Sequence, residues 1–388
     1  MLRVLTLSTL FPNAHRPVLG GFVARQTLAL AARPGVELEV VAPVGLPLWP
    51  LSRHPHYAPL AALPAEEEEW HGLKVHRPRF RVWPRLGQRR AARDMAAALL
   101  PVLGDIRARF PFDVIDAEFF WPDGPAAMRL AEALGVPFSI KARGSDIHLW
   151  GRAPGIAGQV VEAGRRAGGL LAVSEALKRD MVALGLPAEK IRVHYTGIDL
   201  DVFRAAERPP PGDAPRLISV GALIERKGQG IAIEALARLP FAEATLTLVG
   251  EGPARPRLEA LARRLGLESR VRFLGSRPHE ELPALLAGAH VMVLPTMSEG
   301  LANAWVEAMA CGTPVVTCDV GGAREAIDRP AAGRLVARTP EAVVAGIVDV
   351  LRDYPAPAEV RAAAERFSWA ANAEALEAHL AALVRAPV

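Results

Sequence analysis

Glu299-Gly-Leu-Ala-Asn303-Ala-Trp-Val-Glu307-Ala-Met-Ala-Cys-Gly312 follows closely on an apolar run, Val291-Met-Val-Leu294, that ends at Pro295. A short apolar run closed by proline reads as a buried strand leading into a turn. Asn303 is a good N-cap, Ala304 to Ala310 sustain an apolar helix, and Gly312-Thr-Pro314 stops it. The predicted unit is therefore strand, loop, helix. Such a helix start offers backbone N–H groups without intrahelical partners and the positive end of the helix dipole, which suits a phosphate. Two carboxylates flank it. With the rise of an α-helix, Glu299 and Glu307 stand roughly 10 Å apart. That is too far for an acid and a base acting on one bond. It suits two acceptors that hold hydroxyls at opposite ends of an extended ligand whose phosphates lie between them. Glu307 sits in a helix apolar enough to be buried, and a buried carboxylate needs partners.

The spacing Glu299-x7-Glu307, with Gly300 after the first Glu and Glu-Ala-Met-Ala-Cys-Gly at the second, resembles the signature of the family 4 retaining glycosyltransferases of GT-B fold. That resemblance implies an α/β protein of two Rossmann-like domains whose parallel sheets face across a cleft. It implies that Glu299 holds hydroxyls of a donor sugar. The amides of Gly300, Leu301, Ala302 and Asn303 would bind sugar and diphosphate, and Glu307 the ribose.

The whole chain agrees with that scale. At 388 residues it is long enough for two domains with full cores, and 51% hydrophobic with 23% charged residues is a globular composition. The formal net charge is only +4, yet a pI near 9.4 points to clustered basic residues. Cys311 and Cys318 have no His or further Cys beside them, so they read as small buried thiols of a reducing compartment. The first residues carry one Arg before an apolar run that ends by Phe11-Pro12, too short and poorly flanked for a signal peptide. No apolar run approaches the roughly 18 to 20 residues that span a bilayer. The expected location is cytoplasmic, with the option of docking at the inner face of the plasma membrane.

Strand-like runs alternate with helical segments along nearly the whole chain, the pattern of parallel sheets wrapped by helices. A glycine pair, Gly20-Gly21, lies between the first strand and first helix, where open α/β sheets bind ligands; tight turns use glycine too. In the resemblance this is the glycine loop that faces the donor. Residues 43–72, rich in Pro, His and aromatics with an acidic run from Glu66 to Glu69, read as a long stretch without regular structure. Arg77, Arg79, Arg81, Arg85, Arg89, Arg90 and Arg93 then fall within 17 residues, interleaved with Phe80 and Trp83. Such a stretch is either a solvated basic face or a contact for an anionic membrane or a lipid-linked acceptor. No nucleic-acid motif accompanies it.

Glu118 follows the strand at Asp113–Asp116. Ala142-Arg143-Gly144-Ser145-Asp146 follows the next strand and resembles a family element in which the more usual residue at Arg143 is His. A cation there suits a developing phosphate charge, and Asp146 either faces the acceptor or braces the loop. Glu207 to Pro215 is a polar, proline-rich linker. The expected domains are therefore 1–206 for the acceptor and 216–368 for the donor, with a helix at 369–384 returning to the first. In the second domain Arg226-Lys227-Gly228 sits at a strand-to-helix corner, and two cations with a glycine suit a diphosphate. Lys227 matches the family's phosphate-binding lysine. Relatives often carry Arg where this chain has Ala222, so that contact is either absent or supplied by Arg226. Ser276 and Arg277, after the strand at Val271–Gly275, resemble a turn that lies against the nucleobase.

The reaction implied is retaining hexosyl transfer from a nucleoside diphosphate sugar to a glycan or lipid-linked acceptor, with no cofactor. No metal is implied, because no Asp-x-Asp or His cluster stands where phosphates would bind. The rivals are a GT-B nucleotide-sugar epimerase or phosphorylase, and a non-catalytic nucleotide-sugar-binding protein.

Overall fold

The computed structural model describes residues 1–17, 19–64, 67–83 and 87–385. The chain divides into two units, Met1–Gly197 with the stretch from Trp369 onward, and Ile198–Ser368. In the first, the strands are β1 (Leu2–Leu7), β2 (Val36–Val41), β3 (Val44–Leu46), β4 (Glu67–Trp70), β5 (Leu73–His76), β6 (Arg79–Arg81), β7 (Val114–Ala117), β8 (Phe138–Ala142), β9 (Gly169–Ala172) and β10 (Ile191–Val193). Among the described residues, eight make one sheet in the order β10-β9-β8-β7-β1-β2-β5-β4. Only β4 against β5 is antiparallel. Strands β3 and β6 pair separately, in parallel. Central strands such as β7 and β8 are buried at every position, as parallel strands covered on both faces must be.

The helix Trp369–Arg385 belongs to this unit. Its Leu376 and Leu380 share an apolar cluster with Leu2, Val4, Leu30 and Val114. Glu377 pairs with Arg33 at 2.7 Å, and His379 Nε2 is 2.8 Å from Ser139 Oγ.

The second unit contains β11 (Arg216–Val220), β12 (Thr245–Val249), β13 (Val271–Gly275), β14 (Val291–Leu294), β15 (Val315–Cys318) and β16 (Gly333–Val336). They form a parallel sheet in the order β13-β12-β11-β14-β15-β16. Leu236, Leu246, Val293, Val316 and Ile347 lie in its core. Strand order reverses between β11 and β14 here, and between β1 and β7 in the first sheet. Open α/β sheets bind ligands just outside the carboxyl ends of the strands at such a reversal.

Two expectations need correction. Residues 43–72 are not without regular structure. They carry β3, the helical turn Ala58–Ala61 and the edge strand β4; Glu66 lies outside the described residues. The acidic run can extend along the sheet edge because cations neutralise it. Glu67 meets Lys74 at 3.0 Å and Arg109 at 3.3 Å, and Glu68 accepts from Arg77 Nε at 2.6 Å. The arginine-rich stretch, in turn, is not one solvated face. Arg77 is 1% exposed and also donates to the Pro12 carbonyl at 2.8 Å. Arg79 donates to the carbonyls of Ala61 and Leu63 at 2.8 and 3.1 Å. Arg85 lies outside the described residues.

Candidate functional site

In the second unit the reversal point brings together the loops that follow β11 and β14. Lys227 Nζ donates to Glu299 Oε1 at 2.6 Å, and Thr296 Oγ1 donates to the same oxygen at 2.9 Å. Arg226 stands 3.5 Å from that oxygen and also donates to the Ser298 carbonyl. Two cations thus converge on one carboxylate, with Lys227 and Glu299 mostly buried and Arg226 partly in solvent.

Backbone bonds hold these loops in register. Met297 N–H donates to the Arg226 carbonyl at 2.8 Å. Arg338 donates to the carbonyls of Pro295 and Glu225, both at 3.0 Å. Gly228 has φ +77°, and a β-carbon there would lie 2.2 Å from the Pro295 carbonyl oxygen. Only glycine permits so close an approach in the left-handed region. Gly322, after β15, donates its N–H to the Gly300 carbonyl at 2.7 Å. Thr296, Arg338 and the Gly321-Gly322 pair are supports that sequence reasoning missed. The glycine pair is visible in the sequence, but nothing local to it says that it packs against Glu299 and Gly300.

The helix after this loop is Asn303–Ala310, and its cap residue is Ala302 rather than the expected Asn303. Ala302 is already extended, with φ −76° and ψ 118°, and its carbonyl accepts the Trp305 N–H at 3.1 Å. The first turn therefore closes one residue earlier, and no side chain caps it. No side chain caps the N–H groups of Asn303 and Ala304, at the helix end that favours an anion. Leu301 and Ala302 are buried before it.

Glu307, four residues into the helix, is buried, with His279 Nε2 3.4 Å from its Oε1. His279 itself meets the Phe203 ring edge-on, centroids 5.0 Å apart. Ser276 and Arg277 are exposed at the exit of β13. There Arg277 Nε donates to the Leu274 carbonyl at 3.2 Å.

The first unit has a buried charged network at its own reversal point. Glu118 accepts from Gln26 Nε2 and from Arg143 Nη2, and the Arg143 guanidinium lies 4.7 Å from the Phe22 ring centroid. Lys141 Nζ is 2.5 Å from both Gln26 Oε1 and His194 Nδ1. His194 Nε2 donates to the Asn372 carbonyl at 2.8 Å, which leaves Nδ1 to accept from the lysine. Burial lowers the pKa of Lys141 and of His194. It raises that of Asp116, with Glu118 adding to the effect. Neither Asp116 oxygen has a hydrogen-bond partner among the described residues.

Asp146 accepts N–H groups from Phe120, Arg143, Gly144 and Ile147, so it braces the loop that carries Arg143. Asp123, which accepts from Thr9 N–H at 3.0 Å and Thr9 Oγ1 at 2.8 Å, is raised by burial to about 7. Gly20 has φ +67° and caps the first helix. A β-carbon on it would lie 1.7 Å from the Leu10 carbonyl oxygen, whereas one on Gly21 would meet nothing within 4 Å. Backbone packing therefore demands the first glycine and leaves open space at the second.

Two family models divide the chain. Residues 22–202 match the model described as Glycosyltransferase Family 4, and residues 203–367 the model described as Glycosyl transferases group 1. The 2-deoxystreptamine glucosyltransferase of Streptomyces kanamyceticus is 31% identical over 306 residues, covering 72% of this chain and 77% of that protein. The chain belongs to glycosyltransferase family 4. WcaL of Escherichia coli K12, named for colanic acid biosynthesis, is 30% identical to this family 4 glycosyltransferase, covering 80% of each chain. The solved structure of Anabaena HepE in complex with UDP superposes with a TM-score of 0.74 at 22% identity, over 98% of this chain and all of that one. That likeness places the family 4 glycosyltransferase in the GT-B fold, in keeping with two Rossmann-like units built on parallel sheets. No described helix in it is long and apolar enough to cross a membrane.

Proposed function

We propose that the chain transfers a hexosyl group from a nucleoside diphosphate sugar to a glycan or lipid-linked acceptor. The transfer retains configuration at the anomeric carbon, needs no metal, and serves cell-surface polysaccharide or glycolipid synthesis on the cytoplasmic side. The observation that carries this reading is the convergence of Lys227, Arg226 and Glu299 at a sheet reversal, beside a helix start without a side-chain cap. WcaL's name and the UDP and UDP-glucose complexes of HepE support it.

Arg226, Lys227 and the amides of Gly300 to Asn303 hold the diphosphate, Glu299 the sugar hydroxyls, and Glu307 the ribose. The backbone at Ser276 and Arg277 lies against the base. In the first unit Arg143 is the cation offered to substrate, positioned by Glu118 and Asp146. The anomeric carbon–oxygen bond to the diphosphate breaks as the acceptor oxygen bonds on the same face. The departing diphosphate oxygen takes the acceptor's proton, so no protein nucleophile is required. Charge on that oxygen is what the two cations and the helix start stabilise.

Calorimetry with UDP-, GDP- and ADP-sugars, without metal, tests the site. One donor binds, and Glu307→Ala weakens it by about 1 to 3 kcal/mol, from roughly fivefold to roughly 150-fold. Equal affinity of wild type and variant refutes the ribose assignment. Turnover in EDTA, with the anomeric configuration of the product read by NMR, tests metal independence and retention.

A further inference from the structure

Strands β3 and β6 form a parallel ribbon with Leu46 opposite Arg81, and the Val82 N–H extends the pairing onto the Leu46 carbonyl at 3.0 Å. Because the pairing is parallel, both chain segments leave the ribbon at the same end. They carry large apolar side chains into solvent there. Leu48, Trp49 and Leu51 are 46%, 71% and 53% exposed, and Trp83 is 45% exposed. The Arg81 guanidinium lies 6.0 Å from the Trp83 ring centroid.

The charge on these segments has one sign. Residues 40–65 and 77–93 contain no Asp or Glu. Among the described residues of the two segments, Arg77 and Arg93 make ion pairs, whereas Arg53 and Arg81 make none. A cavity of about 620 Å³ opens beside the ribbon, walled by Gly45, Tyr57, Leu60, Phe80 and Trp83 and reaching Ser8 and Thr9 at the exit of β1.

We propose that this end of the ribbon docks on an anionic lipid bilayer, with Leu48, Trp49, Leu51 and Trp83 at headgroup depth and Arg53 and Arg81 against lipid phosphates. Tryptophan prefers the membrane–water interface, and basic side chains are drawn to an anionic leaflet. A second copy of this chain is a poor occupant, since a two-fold interface would set one basic face against its twin. The bilayer contact is thereby assigned to the ribbon end rather than to the arginine-rich stretch as a whole. Docked this way, the cavity admits an acceptor carried on a lipid; that step rests on the transferase reading, and the docking does not.

Co-sedimentation of the full chain with vesicles of equal parts phosphatidylcholine and phosphatidylglycerol, and with phosphatidylcholine alone, tests the proposal. Wild type binds the mixed vesicles far better than the neutral ones. The double variants Trp49→Ser/Leu51→Ser and Arg53→Gln/Arg81→Gln each lower that binding about five- to tenfold, while Val182→Ser, at another exposed apolar position, leaves it unchanged. Failure of wild type to bind anionic vesicles overturns docking. So does binding that ignores the Trp49/Leu51 change, or lipid-free self-association that the same change abolishes. All these side chains are exposed, so melting temperatures stay at the wild-type value. Donor calorimetry, unchanged in each variant, separates failure of docking from failure of the transferase reading.

Discussion

Gly321 lies so close against Glu299 that a β-carbon added to it would stand 1.9 Å from the Glu299 carbonyl oxygen, at a backbone φ of +52°. Gly321→Ala must therefore push the Glu299-Gly300 backbone aside. Displacement of a catalytic group by about 1 Å costs on the order of a hundredfold in rate, and the strain itself about 1 to 3 kcal/mol of stability. Turnover and thermal unfolding of this variant measure both, and a wild-type rate would show that the two loops are not coupled.

Glu299 places a negative charge beside the two cations proposed to hold the diphosphate, and Lys227 holds that charge at 2.6 Å. Glu299→Gln relieves the repulsion, about 1 kcal/mol between unit charges at short range in water, or roughly fivefold. Free nucleoside diphosphate should thus bind this variant more tightly than wild type, while sugar transfer falls at least about tenfold for want of a charged acceptor. Parallel loss of both would mean that Glu299 serves only to brace Lys227.

Burial is the main cause that lowers the His379 pKa from 6.5 to about 4, and Arg192 and Lys141 add to it. Between those values the unfolded chain binds a proton that the folded chain refuses. The contribution of neutral His379 to stability is therefore complete above pH 6.5 and is lost as the pH falls toward 4, at up to about 1.4 kcal/mol per pH unit. His379→Gln should flatten the acid limb of the unfolding curve by that slope, as chemical denaturation across this range would reveal. An unchanged slope would place the titration elsewhere.

Among the described residues of the arginine-rich stretch, Arg77 is the buried arginine. Arg77→Leu removes the partner of Glu68 and the donor to Pro12, and should cost about 2 to 4 kcal/mol by urea unfolding. Arg90→Gln, on an exposed side chain, should stay within about 0.5 kcal/mol. Equal costs would mean that the stretch behaves as one surface after all.

These contrasts mark what the sequence made legible. The strand–loop–helix unit from Val291 to Gly312 could be read because an apolar run, a proline and a terminal glycine are local signals. The position of Lys227 at a strand-to-helix corner, between β11 and the helix Gln229–Arg238, could be read for the same reason. Edge strand β4 could not, since four residues with three glutamates look like a solvated run until Lys74, Arg77 and Arg109 arrive from other segments. The burial of Arg77 depends on Pro12 and Glu68 in the same way. Thr296 and Arg338 act through carbonyls and a carboxylate brought near only by the order of the strands. The cap at Ala302 rather than Asn303 was lost to backbone geometry, which propensity ranks too coarsely to resolve.

The helix Trp369–Arg385 packs in the same apolar cluster as β1, so the chain leaves the first unit at Gly197 and re-enters it at Trp369. The second unit is, in connectivity, an insertion. During synthesis the ribosome has delivered the whole six-stranded sheet before it makes the helix that covers Leu2 and Val4. The second unit already has all its own strands while the first still lacks the helix over Leu2 and Val4, and the first is completed only by a segment made after the second. A nascent chain stalled before Trp369 would be a target for chaperones in one unit and complete in its strands in the other.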